Sequence, residues 1–243
     1  TLFRSPQTQA LARRMADGGE VNALVPERVW QEFARGLMEG HPSRMLQVLR
    51  DCGALARLLP EVEQLWQTGR LNAADALLRT QDISAQLGCD LPQRFACLGQ
   101  AVGPDEAALR AMCLRLRVPL DCRELAELTW REQPAVDRCE AMDSAALLGL
   151  LERCDALRRP ARYDALLRVC ECIARGKSAT ASPPFTQGAY LRRVLHAALG
   201  VDTAGIAAHA ANIGLHGPEV GAAIHDARRE AIVAVFLADK RSS

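Results

Sequence analysis

Apolar residues recur at intervals of three and four along nearly the whole chain, and no other regularity in the sequence bears so directly on its architecture. The interval matches the 3.6-residue turn of an α-helix, whereas half-buried strands alternate with a period of two. Few β-branched residues follow one another, which also disfavours strands. The sequence therefore predicts an all-α fold, a multi-helix array with helices at about 7–17, 26–39, 43–52, 54–67, 72–87, 91–102, 104–117, 121–131, 143–153, 160–175, 187–199, 202–213 and 217–237.

The charge balance limits the classes of partner. With 30 Lys and Arg against 29 Asp and Glu, the formal net charge is +1, so the chain is not a polyelectrolyte and any RNA binding must come from a local face. No apolar run approaches the roughly 18 to 20 residues that a membrane-spanning helix needs. Residues 1–5 also lack the pattern of a secretion signal. We therefore expect a cytoplasmic protein with no membrane partner.

Nine cysteines are scattered along the chain, mostly within helical patterns. An odd number of dispersed cysteines is more typical of reduced, buried thiols than of a disulfide framework. Cys170 and Cys172 form the one close pair, and no second Cys or His pair stands at the spacing of a structural zinc site. We predict no metal site among them.

A three-part sequence motif lies near the start of the chain. It reads Leu-Val-Pro-Glu-Arg-Val-Trp-Gln-Glu at 24–32, then Pro-Ser-Arg-Met at 42–45 and Leu-Arg-Asp-Cys-Gly-Ala-Leu at 49–55. The proline suits the first turn of a helix, and Glu27, Arg28 and Glu32 are predicted to form an ionic cluster there. The block resembles the neck of bacterial tRNA CCA-adding enzymes, the class II tRNA nucleotidyltransferase and poly(A) polymerase family. The resemblance implies a structural, bracing role for these three residues and a core position for Trp30.

Later segments resemble the C-terminal end of the same family in the correct order. They are residues 186–193, 214–220 and 227–232. The resemblance implies the neck and the start of the body at 1–67, a helical body at 68–175 and a C-terminal helical tail at 185–243. Residues 176–184, which are small, polar and proline-bearing, are predicted to be a hinge.

The catalytic elements of that family are missing from this sequence. Nucleotidyl transfer requires paired carboxylates that hold two divalent ions, and the family carries them on a strand after a Gly-Ser turn. The chain has no such Asp-x-Asp segment. We therefore predict no catalytic residue here, and expect Mg²⁺ with ATP and CTP only with the missing head. Two origins fit, truncation of a longer protein or natural loss of the head, and the lack of a starting Met favours truncation.

A second activity of the family, the metal-dependent HD phosphohydrolase, is also predicted to be absent. Residues 94–103 match the helix that bears the His-Asp dipeptide in relatives, and Gln100 and Ala101 occupy those two positions. Alanine does not coordinate a metal, and glutamine is a poor replacement for imidazole. The resemblance thus implies a degenerate HD-like scaffold without a metal.

Clustered arginines are the candidates for RNA binding, because guanidinium groups bind phosphate oxygens without reading sequence. The candidates are Arg158, Arg159, Arg162, Arg192, Arg193, Arg228 and Arg229. For each cluster the alternative is a solvated helix face whose arginines pair with nearby acids. The resemblance implies tRNA as the partner, held by body and tail while the head completes the 3′ end. A non-catalytic helical module for protein interaction or homodimerisation is the competing interpretation.

Overall fold

The structure is a computed structural model, and it describes residues 26–178 and 184–241. Every regular element in these ranges is helical, as the apolar spacing predicts. The predicted helix at 7–17 lies outside the described residues. The α-helices are α1 Pro26–Leu37, α2 Pro42–Asp51, α3 Leu55–Leu58, α4 Pro60–Gln67, α5 Leu71–Gln86, α6 Leu91–Ala96, α7 Glu106–Arg115, α8 Leu120–Asp137, α9 Ser144–Arg153, α10 Pro160–Lys177, α11 Thr186–Leu199, α12 Thr203–Asn212 and α13 Pro218–Arg241, and 3₁₀ helices cover Cys97–Val102 and Cys139–Ala141.

Aspartates start several of these helices. The Asp90 side chain accepts from the Gln93 backbone N–H while the Gln93 side chain accepts from the Asp90 N–H, so α6 begins with a capping box. Asp105, Asp143 and Asp202 accept in the same manner from the first turns of α7, α9 and α12. Each cap satisfies a backbone donor that the helix itself leaves without a partner.

The chain divides into two compact units. Unit 1 comprises the described residues within Thr1–Arg131 and Arg168–Pro184, and unit 2 those within Glu132–Leu167 and Phe185–Ser243. Of the predicted hinge, Gly176 and Lys177 are the last residues of α10 and 179–183 lie outside the described residues. The boundaries expected from the family resemblance stay a prediction.

In unit 1, helix α1 packs on α6 through aromatic side chains. Trp30 is buried, and its ring lies 5.5 Å from that of Phe95 in an edge-on arrangement. Arg94 is also buried, at 6 % exposure, and donates to the carbonyl oxygens of Leu37, Glu39 and Cys89, each at 2.8 Å. A single cation thus ties the end of α1 to the start of α6.

In unit 2, helix α13 packs against α9, α11 and α12. The buried carboxylate of Glu132, at 3 % side-chain exposure, pairs with Arg153 at 3.0 Å. Arg192 of α11 pairs with Asp164 of α10 at 2.8 Å, which places the middle of α11 beside the first turns of α10. These polar contacts fix the helices that carry the predicted RNA-binding arginines.

The sequence was expected to hold no segment apolar enough to span a membrane, but one stretch meets that criterion. Thr186–Asn212 is long and apolar enough, by composition, to cross a membrane. The structure divides it at Gly200–Asp202 into α11 and α12, and Asp202 caps the second helix. Both helices pack on α13, so this stretch is a pair of packed helices and not one continuous span.

Candidate nucleic-acid interface

All seven predicted RNA-binding arginines lie in unit 2. Arg158, Arg159 and Arg162 surround the start of α10, while Arg192 and Arg193 lie on α11. The Arg192–Asp164 pair brings α11 to the same end of α10, since Asp164 follows Arg162 by two residues. The other two candidates, on α13, are described separately below. The three arginine clusters, each recognised in the sequence only by its own neighbours, therefore belong to one unit.

The cluster at the start of α10 is the most accessible. The side chain of Arg158 is 86 % exposed and that of Arg159 is 61 % exposed. Their nearest carboxylate is that of Asp155, whose oxygens lie 4.0 Å from Arg158 Nε and 3.4 Å from Arg159 Nε. Both distances are longer than a hydrogen bond, so this pairing holds the arginines loosely.

The pair on α11 is held more firmly. Arg192 donates to Asp164 Oδ1 at 2.8 Å, and both side chains are about half exposed. The guanidinium of Arg193 lies 5.8 Å from the ring centre of Tyr190, within the range of a cation–π contact. Both arginines face solvent, but Arg192 must exchange a good hydrogen bond before it binds a phosphate.

The pair on α13 fits a phosphate contact least well. Arg229 is exposed and lies 3.5 Å from Asp226. Arg228 is half-buried, and its Nε is a buried donor for which the described residues offer no hydrogen-bond partner. Arg228 therefore belongs to the packing of α13 more than to its solvent face.

The neck motif lies on the outer face of α1. Trp30, Phe33 and Leu37 are buried on one side, and Arg28 and Glu32 are exposed on the other. Glu32 accepts from Arg35 at 2.8 Å, an i to i+3 pair that the sequence reading did not include. The side chain of Glu27 lies outside the described residues, so the three-residue ionic cluster stays a prediction.

The degenerate HD positions are occupied by packing residues. Ala101 is buried within the 3₁₀ helix, and Gln100 donates through Nε2 to the Cys97 carbonyl oxygen at 3.2 Å. Across the described residues, no group of three His, Cys, Asp or Glu side chains is arranged to hold a metal ion. The side chains at this position do not fit the ligand set of a metal-dependent phosphohydrolase.

The sequence did not single out four arginines of unit 1. Arg44 and Arg57 are exposed, but they occur singly and so gave no cluster signal. The guanidinium of Arg50 lies 4.8 Å from the ring centre of Trp66 and 3.6 Å from Glu63. Arg94 was missed for another reason, because a buried arginine bonded only to carbonyl oxygens leaves no acidic partner to find in the sequence.

The sequence matches a family model and several curated proteins. Residues 5–65 match the family model described as the probable RNA and SrmB-binding site of polymerase A. The chain is 46 % identical to the multifunctional CCA protein of Acidovorax sp. (strain JS42) over 94 % of its own length and 59 % of the relative's. The corresponding protein of Leptothrix cholodnii is 46 % identical over 94 % and 60 %, and that of Burkholderia multivorans is 45 % identical over 93 % and 60 %.

The chain thus spans about three fifths of the length of these curated relatives. No solved structure matches it. These relatives confirm the resemblance to CCA-adding enzymes that the neck and tail motifs indicated.

Proposed function

The chain belongs to the tRNA nucleotidyltransferase and poly(A) polymerase family, and on that premise we propose that it is the region of a CCA-adding protein that holds tRNA. The main support for the proposal is that all seven candidate arginines lie in unit 2. The side chains of Arg158 and Arg159 are also strongly exposed. Exposed guanidinium groups bind phosphates bidentately and are indifferent to base identity. Such contacts suit recognition of a folded RNA by its shape and backbone.

In this proposal the residues of the chain position RNA and do no bond-making chemistry. The nucleotidyl transfer of the whole protein, with its Mg²⁺ and its ATP and CTP, would be carried by a nucleotidyltransferase head. The described side chains of this chain do not fit a metal site, so no step through a metal is assigned to them. We also propose a cytoplasmic location, because that is where a protein that holds tRNA meets its partner.

A filter-binding titration against a tRNA transcript at several salt concentrations tests the proposal. If arginines contact phosphates, the affinity for tRNA should fall steeply as the salt concentration rises. Each lost contact should reduce the steepness of log K against log salt by up to about 0.9. We expect the double change R158A/R159A to weaken binding most, R192A/R193A next and R228A/R229A least, in the order of their accessibility.

Arg110→Ala is the matched control, because Arg110 is an exposed arginine of unit 1 that pairs with Glu106 at 2.6 Å. It should leave tRNA affinity nearly unchanged. Binding that is undetectable, or that does not vary with salt, would contradict the proposal for this chain.

A second function is supported by two exposed apolar side chains. Leu114 at the end of α7 is 69 % exposed and Leu120 at the start of α8 is 59 % exposed. Exposed apolar side chains mark a protein contact when they form one contiguous patch. If this surface mediates homodimerisation, sedimentation equilibrium should give a dimer that Leu114→Ser with Leu120→Ser converts to a monomer. A monomer in the unchanged chain at all concentrations would rule out the dimer.

A further inference from the structure

Asp155 occupies a fixed position at the end of α9. Its φ of 52° lies in the left-handed region, which non-glycine residues seldom adopt except asparagine and aspartate. The backbone N–H of Ala156 donates to the Leu151 carbonyl oxygen at 2.8 Å, the closing bond of a helix C-terminal turn. The Asp155 carbonyl oxygen then accepts from the N–H of Arg159, also at 2.8 Å. The turn therefore directs the Asp155 side chain toward the arginines that follow it.

The carboxylate of Asp155 lies between two arginines that otherwise face solvent. Its two oxygens approach Arg158 Nε and Arg159 Nε, one oxygen to each guanidinium, at 4.0 and 3.4 Å. A single carboxylate shared by two guanidinium groups leaves an excess of one positive charge. Arg162 follows one turn later on α10 and adds another. Guanidinium groups bind phosphate oxygens as well as carboxylate oxygens, so two neighbouring arginines can share one phosphate group instead of one carboxylate.

We propose that the Asp155 carboxylate takes the place of an RNA phosphate in the free protein, where it pairs with Arg158 and Arg159, and that it is displaced from them when RNA binds. This inference rests on the proposed function and adds a residue that sets its affinity. Asp155 is a positioning residue and a competitor in this account, and it does not itself contact RNA.

The carboxylate of Asp155 is easily displaced from the two arginines because the pairing is weak. Ion pairs between exposed side chains contribute little in water, and both separations exceed hydrogen-bonding distance. The neighbouring pair of Arg153 and Glu132 is different, because Glu132 is buried and an unpaired buried carboxylate is costly. Arg153 is therefore committed to structure, whereas Arg158 and Arg159 can change partner at small cost.

The variant Asp155→Asn isolates the charge of this residue. Asparagine tolerates the left-handed conformation and has the same shape, so the turn should be retained. In the full 243-residue chain, we expect D155N to tighten binding of a tRNA transcript by about two- to fivefold, the range of an exposed ion pair. The control E106Q removes one negative charge from an exposed pair in unit 1 and should change affinity less than about 1.5-fold.

A double-mutant cycle distinguishes competition for the two arginines from a general effect of net charge. If Asp155 acts through Arg158 and Arg159, adding D155N to R158A/R159A should give no further gain. A gain that persists without the arginines would overturn the inference, as would a D155N chain that binds like the unchanged one while R158A/R159A still weakens binding. If no variant binds tRNA, the proposed function and this inference both fail, whereas binding with normal salt dependence and no D155N effect removes the inference alone.

Discussion

Arg94 shows how much one side chain can hold together. It is 6 % exposed, and its three hydrogen bonds to described residues all end on carbonyl oxygens, two of them at the end of α1. We predict that Arg94→Met, which keeps the length of the side chain, lowers the free energy of unfolding by about 3 kcal/mol, because three carbonyl groups lose a charged donor. Urea unfolding followed by circular dichroism measures this loss.

Arg110→Met is the control for this prediction, since Arg110 makes one exposed pair with Glu106. An exposed pair of this kind contributes up to about 1 kcal/mol. Equal losses for the two variants would mean that the Arg94 hydrogen bonds do not stabilise unit 1.

The cysteines give a second prediction at the scale of residues. All nine are free thiols, eight are buried, and Cys52 is half-buried. Burial raises the pKa of Cys113 to about 11 and the pKa of Cys139 to about 12. A raised folded-state pKa keeps these thiols protonated at neutral pH, and the stability they contribute is lost as pH rises from about 9 toward 12.

We therefore expect iodoacetamide at pH 8 to label Cys52 first in the folded chain and the others only in urea, because the thiolate is the reactive form. Peptide mass spectrometry of samples taken over time identifies the labelled positions. Labelling of Cys113 or Cys139 at the rate of Cys52 would show that the core opens readily.

Among the helices, α5 and α10 approach so closely that a glycine is required between them. A Cβ placed on Gly176 would overlap the Thr80 hydroxyl and come within 2.8 Å of the Ala76 carbonyl oxygen. Gly176 also accepts from Arg79 Nε at 2.9 Å. We predict that Gly176→Ala destabilises unit 1 by about 2 kcal/mol, the cost of overpacking, measured by thermal unfolding.

Gly149→Ala is the matched change in α9, where the nearest atom to the added Cβ is Arg153 Nη1 at 3.4 Å, close to an ordinary van der Waals distance. It should stabilise the chain by about 0.5 to 1 kcal/mol, because alanine loses less backbone entropy in a helix. A loss of stability in both variants would attribute the effect to glycine in helices generally and not to the contact with α5.

The same elements show what the sequence could and could not predict. Periodicity predicted the helices, but it joined α3 and α4 across Pro60, where proline begins a new helix in the structure. It also ended α8 near residue 131, whereas the helix continues through Pro134 to Asp137 and buries Val136. The effect of a proline cannot be read from its immediate neighbours in sequence. Its missing N–H costs nothing at the start of a helix, and inside a helix tertiary packing can hold the residues around it.

The candidate site was predictable in part for a related reason. Pairs such as Arg158 and Arg159 are adjacent in sequence and are easily recognised. Whether these arginines are free to bind a phosphate depends on the carboxylates beside them. Those carboxylates are positioned by the left-handed turn at Asp155 and by the contact between α10 and α11. The residue spacing shows that acids lie nearby, but it does not show which carboxylate pairs with which arginine.

For the molecule as a whole, we predict that metal ions neither stabilise nor activate it. Gln100 and Ala101 stand where the HD dipeptide is expected, and the described side chains form no metal site. Millimolar Ni²⁺ or Mg²⁺ should leave the Tm unchanged, since a ligand stabilises a fold only by binding it. The chain should also release no product from 2′,3′-cyclic nucleotides, and metal-dependent turnover would contradict the degenerate-site interpretation.

The last prediction concerns which unit holds the RNA. The family model for RNA binding matches residues 5–65 in unit 1, whereas the arginine clusters lie in unit 2. We predict that R44A/R57A and R158A/R159A each weaken tRNA binding and make the plot of log K against log salt less steep. Combining the two variants should reduce the steepness by the sum of the two effects, because separate phosphate contacts release counterions independently. The comparison is charge-matched, since each variant removes two exposed arginines. If R44A/R57A binds like the unchanged chain, unit 2 alone supplies the phosphate contacts. If only R44A/R57A weakens binding, the arginines of unit 2 are solvated helix faces and the proposed interface is wrong.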